Sequence, residues 1–234
     1  SQGNSTTGVG ISKSSHEKSI YDLIMDRATL QDVIVKTEFK NLYIIPASIN
    51  LAGADIELME RSRMDHSFNK SYQLKKYLEP EEDIVIYEDN LEIAKETFDY
   101  IIIDCPPSLG ILTTNALTAA NSVIIPVQCE FFALEGITQL LQSILMAQKT
   151  LNPTLDIEGV LLTMLDSRTI LGLEVVEEIK AYFKEKVYDT IIPRLIRLSE
   201  APSHGKPILA YDPKNRGTVA YLNLAKEVID KNGN

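Results

Sequence analysis

A carboxylate that follows a short apolar run is the residue best placed to do chemistry in this chain. Asp104 ends the run Tyr100–Asp104 and is followed by a Cys-Pro-Pro sequence. At the carboxyl end of a buried strand, an aspartate can hold hydrated Mg²⁺ through water or directly. The two prolines fix two φ angles and prevent a helix from starting there. The pattern alone leaves a second interpretation open, in which Asp104 caps the helix that begins near Leu109.

The phosphate-binding loop that would accompany such an aspartate does not occur in these 234 residues. Its pattern is G-x-x-x-x-G-K-[ST], in which backbone N–H groups and a lysine bind the phosphates. Of the 11 glycines, only Gly205 precedes a lysine, and that lysine is followed by Pro207. The pair Gly8 and Gly10 is too short to count as a dinucleotide-binding fingerprint. The aspartate therefore stands without the usual phosphate loop.

A second segment that could bind phosphate lies between Val187 and Gly217. It carries five cations against three carboxylates, in a chain with a formal charge of -10. Such a cluster could contact a nucleotide or the DNA backbone. Ordinary loop charge is the other interpretation, and composition alone favours it. The cations are Arg194, Arg197, Lys206, Lys214 and Arg216.

Composition excludes several classes of protein. With 44% hydrophobic and 24% charged residues, the chain is a folded protein rather than a disordered one. Its longest apolar runs are far shorter than the roughly 20 residues of a membrane-spanning helix. The two cysteines are too few for a disulfide scaffold and fit a reducing cytosol. The three scattered histidines do not have the spacing of a zinc site.

The elements that must position these residues alternate between strands and helices. Nearly continuous β-branched runs are typical of strands buried on both faces of a parallel sheet, and they occur at Leu42–Pro46, Tyr100–Asp104, Ser122–Val127, Gly159–Met164 and Thr190–Pro193. Apolar residues at helical spacing predict helices over Glu135–Thr150, Leu173–Lys184 and Val219–Lys231. This alternation indicates an α/β fold with a doubly wound, mostly parallel sheet. We expect one domain over residues 1–234, with an atypical polar insertion at about residues 60–90.

The chain resembles the ParA/Soj partition ATPases of bacteria, which share a deviant Walker motif with MinD. The similarity is densest over Tyr100–Gly136. It continues in Asn41–Leu58, Ile157–Thr169 and Ile191–Gly217. The opening Gln-Gly-Asn at residues 2–4 resembles the end of the family's D-x-D-P-Q-G-N segment. The resemblance implies a sheet of the P-loop NTPase type.

The resemblance also implies a role for each matching position. Asp104 is similar to the Walker B aspartate, which binds Mg²⁺ through water, and Pro107 lies in the matching switch loop. The other positions expected beside the nucleotide and Mg²⁺ are Gln2, Asn4, Thr163, Met164, Pro193, Arg194 and Pro202. The positions expected at a DNA-binding surface are Arg197, Lys206, Lys214 and Arg216.

The function that the resemblance implies is ATP-dependent DNA segregation. ATP and Mg²⁺ would be the cofactors, and nonspecific DNA and a ParB/Spo-type centromere-binding protein the partners. The protein would be a homodimer in the bacterial cytoplasm, associated with the nucleoid and with no membrane contact.

One departure from the family qualifies these expectations. The family's Lys-rich phosphate loop and first two core strands normally precede Gln-Gly-Asn, and no match to them is found in the chain. We therefore expect a fragment that lacks these strands, binds nucleotide weakly or not at all, and does not hydrolyse ATP. The family is an ATPase, but the resemblance alone does not assign an enzymatic activity to this chain. The alternatives are a non-catalytic protein that binds DNA or a partner, and a MinD-like membrane-associated regulator.

Overall fold

The computed structural model describes residues 3–13, 16–78, 84–88, 91–96, 98–130 and 133–233. The chain divides into two compact units. Unit 1 comprises residues 1–120 and 149–153, and unit 2 comprises residues 121–148 and 154–234.

Unit 1 is mainly helical in its described part. Two strands, β1 (Val35–Lys36) and β2 (Tyr43–Ile44), form one antiparallel pair, and β3 (Ile84–Glu88) and β4 (Leu91–Glu96) form another. A 3-10 helix over Ile49–Gly53 runs directly into the longest helix of the unit. The helices are α1 (Asn4–Gly8), α2 (Ile20–Ile24), α3 (Leu30–Val33), α4 (Ala54–Met64), α5 (Lys75–Leu78) and α6 (Ile111–Ala119).

The core of unit 1 forms where α2, α4 and the start of α6 meet. Ala54 and Leu58 of α4 are completely buried against Ile24 of α2, and Ile111 and Leu112 of α6 pack against the same cluster. Because Ala54 and Leu58 are four residues apart, they lie on one face of the helix. This packing fixes the start of α6 against the start of α4.

Unit 2 contains the parallel strands. β5 (Ser122–Gln128) and β6 (Asp156–Thr163) pair in parallel, with Ile125 opposite Val160 and Val127 opposite Leu162. Residues 187–193 continue the arrangement beside β6 through isolated parallel bridges from Val160 to Val187 and from Leu165 to Pro193. The helices of this part of the chain are α7 (Ala133–Thr150), α8 (Ile170–Phe183), α9 (Ile196–Glu200), α10 (Ile208–Tyr211) and α11 (Arg216–Lys231).

Most of the predicted elements of unit 2 are confirmed. The predicted strands at 122–127 and 159–164 correspond to β5 and β6, and the three predicted helices correspond to α7, α8 and α11. Of the predicted strand Thr190–Pro193, only Pro193 makes a parallel bridge, next to a backbone hydrogen bond from the Ile192 N–H to the Leu162 carbonyl at 2.9 Å.

The predicted strand at Tyr100–Asp104 is wrong. Residues 100–104 are described but belong to no strand, and Ile101 and Ile102 are 51% and 91% exposed. A strand buried on both faces needs hydrogen-bonded neighbours for its backbone groups. No strand of the described residues pairs with this segment, so its apolar side chains are left uncovered.

The first part of the predicted polar insertion is packed into unit 1. Over residues 60–78 the chain finishes α4 and forms α5, and Gln73 and Leu74 between them are buried. The Leu74 N–H donates to the Asn115 side-chain oxygen of α6 at 3.1 Å. The Tyr72 hydroxyl donates to the Leu151 carbonyl at 2.8 Å. These contacts connect the segment to the rest of unit 1.

Candidate functional site

The site around Asp104 is built on the first short helix of unit 1. Gly3, which precedes α1, has a φ of 63°, in the left-handed region that favours glycine. A Cβ at this position would also meet the Lys13 side chain at 2.7 Å. The following turn brings Ser5 to Asp104, and the Ser5 hydroxyl donates a hydrogen bond to the Asp104 carboxylate.

A second hydrogen bond connects α1 to the segment after β2. Thr6 is buried, and its hydroxyl oxygen accepts the Ala47 N–H at 3.0 Å. A cavity of about 620 Å³ opens beside this contact, with a lining that is mostly aliphatic. Its polar lining includes Asn4, Ser5 and Asp104, and Pro107 lines it as well. Three positions predicted to lie beside nucleotide and Mg²⁺, namely Asn4, Asp104 and Pro107, are therefore brought together in unit 1.

The donor groups at Asp104 suit a magnesium ion held mainly by water. The described residues contain no group of three or more His, Cys, Asp or Glu side chains that could hold a metal ion. Mg²⁺ usually keeps several waters and is bound by one or two carboxylates plus phosphate oxygens, so it does not require such a cluster. Asp104 is exposed and has the Ser5 hydroxyl beside it, a hard oxygen donor set. The residues present thus fit water-mediated Mg²⁺ binding.

Cys105 lies next to this aspartate in the chain. The residue is exposed, but crowding around its thiol and the negative charge of Asp104 both raise the pKa of Cys105. A thiol with a raised pKa stays protonated at neutral pH and is a poor nucleophile. Cys105 therefore offers no activated thiol to the site.

In unit 2, the predicted positions Thr163 and Met164 lie at the carboxyl end of β6. The Thr163 hydroxyl donates to the Val127 carbonyl of β5 at 3.2 Å, and the Thr163 carbonyl accepts the Cys129 N–H at 3.0 Å. Met164 has a φ of 55°, a backbone conformation that is strained for a residue with a side chain. Strained backbone of this kind is concentrated at functional sites, because the surrounding structure must hold it in place.

Pro193 and Arg194 reach the same edge of the sheet in unit 2. The Arg194 N–H donates to the Leu165 carbonyl at 2.9 Å, and Pro193 bridges to Leu165. The Arg194 guanidinium pairs with Glu130, just beyond the end of β5, at 3.2 Å. Because ligands of parallel α/β sheets bind beyond the carboxyl ends of the strands, this edge is the expected ligand side of unit 2. Pro202 is placed further along, exposed in the 3-10 helix Ala201–His204.

Of the predicted DNA-binding residues, Arg197 is already engaged with carboxylates. Its guanidinium contacts Glu200 at 3.0 Å and Asp212 at 3.8 Å. It also donates to the Tyr211 hydroxyl at 3.2 Å, and this bond, with the charge of Glu200, raises the pKa of Arg197. Because two carboxylates offset its charge, Arg197 is less available to a phosphate than a cation without partners.

The other three predicted residues form what we call the basic surface: Lys206, Lys214 and Arg216. All three are exposed, and within the ranges that the structure describes none forms an ion pair. Arg216 begins α11, whose N-terminal Gly217 N–H is capped by the Asn215 side chain at 2.9 Å. A Cβ at Gly217 would meet Leu198 at 2.8 Å, so the start of α11 packs closely against α9.

The sequence-based prediction missed several polar contacts of these sites. Ser5, Thr6 and Glu130 were not predicted, although the Ser/Thr-rich opening of the chain is a signal in the composition. Arg197 and Glu200 are three residues apart on one helix, which is a recognisable pairing pattern, whereas the contact with Asp212 has no such signal. Gln2, which was predicted at the nucleotide, lies outside the described residues.

Comparison with known proteins identifies the family. A family model described as an AAA domain matches residues 1–157. The sporulation initiation inhibitor protein Soj of Bacillus subtilis is 55% identical over 97% of this chain and 82% of its own length. The chromosome partitioning protein ParA of Caulobacter vibrioides is 46% identical over 98% of this chain and 80% of its own length. The chain belongs to the Soj/ParA family of chromosome-partitioning proteins.

A solved structure supports the same fold for this Soj/ParA-family chain. The cobyrinic acid a,c-diamide synthase of Mycobacterium smegmatis, crystallised with bound ADP and magnesium, is 31% identical with a TM-score of 0.73. The match covers 96% of this chain and 76% of that one. The fold is therefore the α/β P-loop NTPase type with parallel strands, as predicted.

The Soj and ParA relatives have chromosome-partitioning or sporulation names, and they do not favour the alternative of a MinD-like membrane-associated regulator. Within the described residues, no helix combines the length and the apolar character needed to cross a bilayer. The last helix, α11, carries Glu227 and Asp230 as well as Lys226 and Lys231. A basic amphipathic face of the kind that binds anionic lipid is thus not a feature of its last two turns.

Proposed function

We propose that this chain acts in DNA segregation as a partition protein of the Soj/ParA type. It would work as a homodimer in the bacterial cytoplasm, on the nucleoid, with a ParB/Spo-type centromere-binding protein as partner and residues 1–234 acting as one domain. The observation that carries the proposal is the arrangement at Asp104, where the short helix α1 places the Ser5 hydroxyl on the carboxylate and Asn4 in the same cavity lining. In the family resemblance, Asp104 is the position assigned to Mg²⁺ and Asn4 is one of those expected beside the nucleotide and Mg²⁺.

At this site, Asp104 would hold Mg²⁺ through water, with the Ser5 hydroxyl orienting the carboxylate. When bound, Mg²⁺ would neutralise charge on the phosphates of ATP. The prolines at 106 and 107 make the following loop stiff, so that a shift of Asp104 would be transmitted along it. Within unit 2, considered by itself, Thr163, Met164 and Arg194 would lie on the ligand side of the sheet, at the carboxyl ends of its strands.

The basic surface would supply the contact with DNA. Lys206, Lys214 and Arg216 are exposed cations on successive loops and helix starts of unit 2, a distribution that suits a phosphate backbone rather than a base-reading helix. Arg197 would contribute less because Glu200 and Asp212 offset its charge. The contact would be independent of DNA sequence and sensitive to salt.

Binding to a labelled nonspecific DNA duplex, measured by fluorescence anisotropy at low salt with and without Mg²⁺–ATP, tests the DNA part of the proposal. Arg216→Glu should weaken binding at least about tenfold, because it converts an attraction into a repulsion. Lys180→Glu, which makes the same change of net charge on α8 outside the basic surface, should change it much less. Equal losses in the two variants would refute the assigned surface.

Phosphate release from ATP tests the expectation that this chain does not hydrolyse ATP. These 234 residues contain no G-x-x-x-x-G-K-[ST] motif, so the chain should release no more phosphate from Mg²⁺–ATP than its Asp104→Ala variant. Hydrolysis clearly above that variant would contradict this expectation and would mean that other residues bind the phosphates.

A further inference from the structure

Helix α6 begins without a cap from its own flanking residue. Gly110 at its N-cap has no side chain to accept the free N–H groups of the first turn. The acceptor comes instead from α4, because the Leu112 N–H donates to Asp55 Oδ1 at 3.1 Å. The Asp55 side chain therefore takes the place of a capping side chain for a helix that starts more than fifty residues later in the sequence.

The space around Gly110 shows that the carboxylate is closely seated. A Cβ built on Gly110 would lie 2.3 Å from Asp55 Oδ2, and its three nearest heavy atoms all belong to Asp55. Gly110 has φ -91° and ψ -164°, which any residue can adopt, so its backbone conformation does not require glycine. The small residue is required here by the approach of the Asp55 carboxylate.

Asp55 is itself held in place by its position in α4. It lies in the first turn of that helix, where the helix dipole favours a negative charge. Its neighbours Ala54 and Leu58 are completely buried in the core cluster, against which Leu112 also packs. One carboxylate thus serves the N-terminal ends of two helices that are packed together.

The loop that follows Asp104 is held at both ends by these contacts. At one end the Ser5 hydroxyl binds Asp104, and at the other Asp55 binds the first turn of α6. Between them, the Ser108 carbonyl accepts the Thr113 hydroxyl at 2.5 Å. The 105–110 loop can therefore be displaced only if one of these contacts breaks.

We propose that Asp55 is a positioning residue that fixes the position of the 105–110 loop, which connects Asp104 to α6. Its importance for nucleotide rests on the proposed function, because that function gives the loop its role beside Mg²⁺. The positioning itself is a property of the chain without any ligand.

Two probes in the unliganded chain test the positioning. The first is the hydrogen-exchange rate of the Leu112 amide, and the second is the alkylation rate of Cys105 by iodoacetamide, with the buried Cys129 as an internal reference. Asp55→Ala should raise the Leu112 exchange rate about tenfold and also speed alkylation of Cys105, while the Cys129 rate stays unchanged. Asp55→Asn keeps an oxygen acceptor and should restore most of the wild-type behaviour.

Asp32→Ala is the matched control. Asp32 is the third residue of α3 in the same unit, where its carboxylate accepts the Thr29 N–H at 2.9 Å and pairs with Lys18 at 3.1 Å, so its loss removes a carboxylate contact at a helix start elsewhere in the unit. Asp32→Ala should leave both probes unchanged. The proposal is overturned if Asp55→Ala stays within twofold of wild type in both probes, or if Asp32→Ala changes them equally.

A separate arm addresses the proposed function. Millimolar Mg²⁺–ATP is added to the wild-type chain, and protection of Cys105 from iodoacetamide reports nucleotide at the loop. If Mg²⁺–ATP does not protect Cys105 while Asp55→Ala still changes both probes, the result counts against nucleotide binding by this chain. The positioning role of Asp55 is then unaffected.

Discussion

Replacing Gly110 by alanine should be harmful only while Asp55 is present. In the wild-type chain the new methyl group would lie 2.3 Å from the Asp55 carboxylate, so the carboxylate must leave the start of α6. In an Asp55→Ala background the same methyl group has room, because the three nearest heavy atoms to it belonged to the removed side chain. The two substitutions should therefore be strongly non-additive.

The magnitude follows from the contact that is lost. Asp55→Ala removes a charge-assisted hydrogen bond that also caps a helix, which costs about 1.5 kcal/mol of the free energy of unfolding. Gly110→Ala loses the same bond but gains about 0.5 kcal/mol from a less flexible unfolded chain, for a net cost of about 1 kcal/mol. The double variant should also lose only about 1 kcal/mol, which leaves a coupling energy of about 1.5 kcal/mol.

Urea unfolding of the four proteins, followed by circular dichroism, measures this cycle. Gly53→Ala serves as a control for the general effect of replacing an N-cap glycine, because Gly53 is the N-cap of α4 and nothing lies within 4 Å of a Cβ at that position. The reasoning is refuted if the effects of Asp55→Ala and Gly110→Ala simply add, since the carboxylate and the methyl group would then not compete for one place.

Three further predictions concern charge and packing elsewhere in the chain. Burial raises the pKa of Asp26, but hydrogen bonds from Lys76 and Tyr77 outweigh it and hold this pKa below its ordinary value. The stabilisation from this carboxylate is therefore present above about pH 4 and is lost as the pH falls through the lowered pKa. Asp26→Asn should lower the free energy of unfolding by about 1 kcal/mol at pH 7. In urea titrations below about pH 4, the difference between the variant and the wild-type chain should become progressively smaller. Tyr188→Phe should change the free energy of unfolding by less than about 0.5 kcal/mol, because the buried Tyr188 hydroxyl has no hydrogen-bond partner among the described residues; a loss above about 1 kcal/mol would reveal one. Gly159→Ala should cost about 1–3 kcal/mol, since its Cβ would lie 2.5 Å from the ring of Tyr188, and a neutral result in the same urea assay would show that this ring can move aside.

The elements that the sequence predicted well are those with a strong local pattern. The helices α7, α8 and α11 follow from apolar residues at helical spacing, and the paired strands β5 and β6 follow from β-branched runs. Asn4 and Asp104 are 100 residues apart, and only the family resemblance placed them together before the structure did.

The elements that the sequence did not predict depend on partners elsewhere in the chain. The run at Tyr100–Asp104 has the composition of a buried strand, but a strand needs neighbours, and none pairs with it in the described residues. The cap of α6 comes from Asp55, for which sequence spacing carries no signal. The engagement of Arg197 by Asp212 is likewise a consequence of folding, and it changes which cations remain available.

The salt dependence of DNA affinity tests the central claim most directly. The anisotropy titration is repeated from about 25 to 200 mM salt with the wild-type chain, the Lys214→Glu/Arg216→Glu variant and the Lys180→Glu control. If the three cations of the basic surface each neutralise one phosphate, the logarithm of the association constant should fall against the logarithm of salt with a slope of about −3 per chain. The double variant should lose most of this slope, and the control should keep it. An affinity that is insensitive to salt, or a double variant with the wild-type slope, would contradict the claim that the basic surface binds DNA.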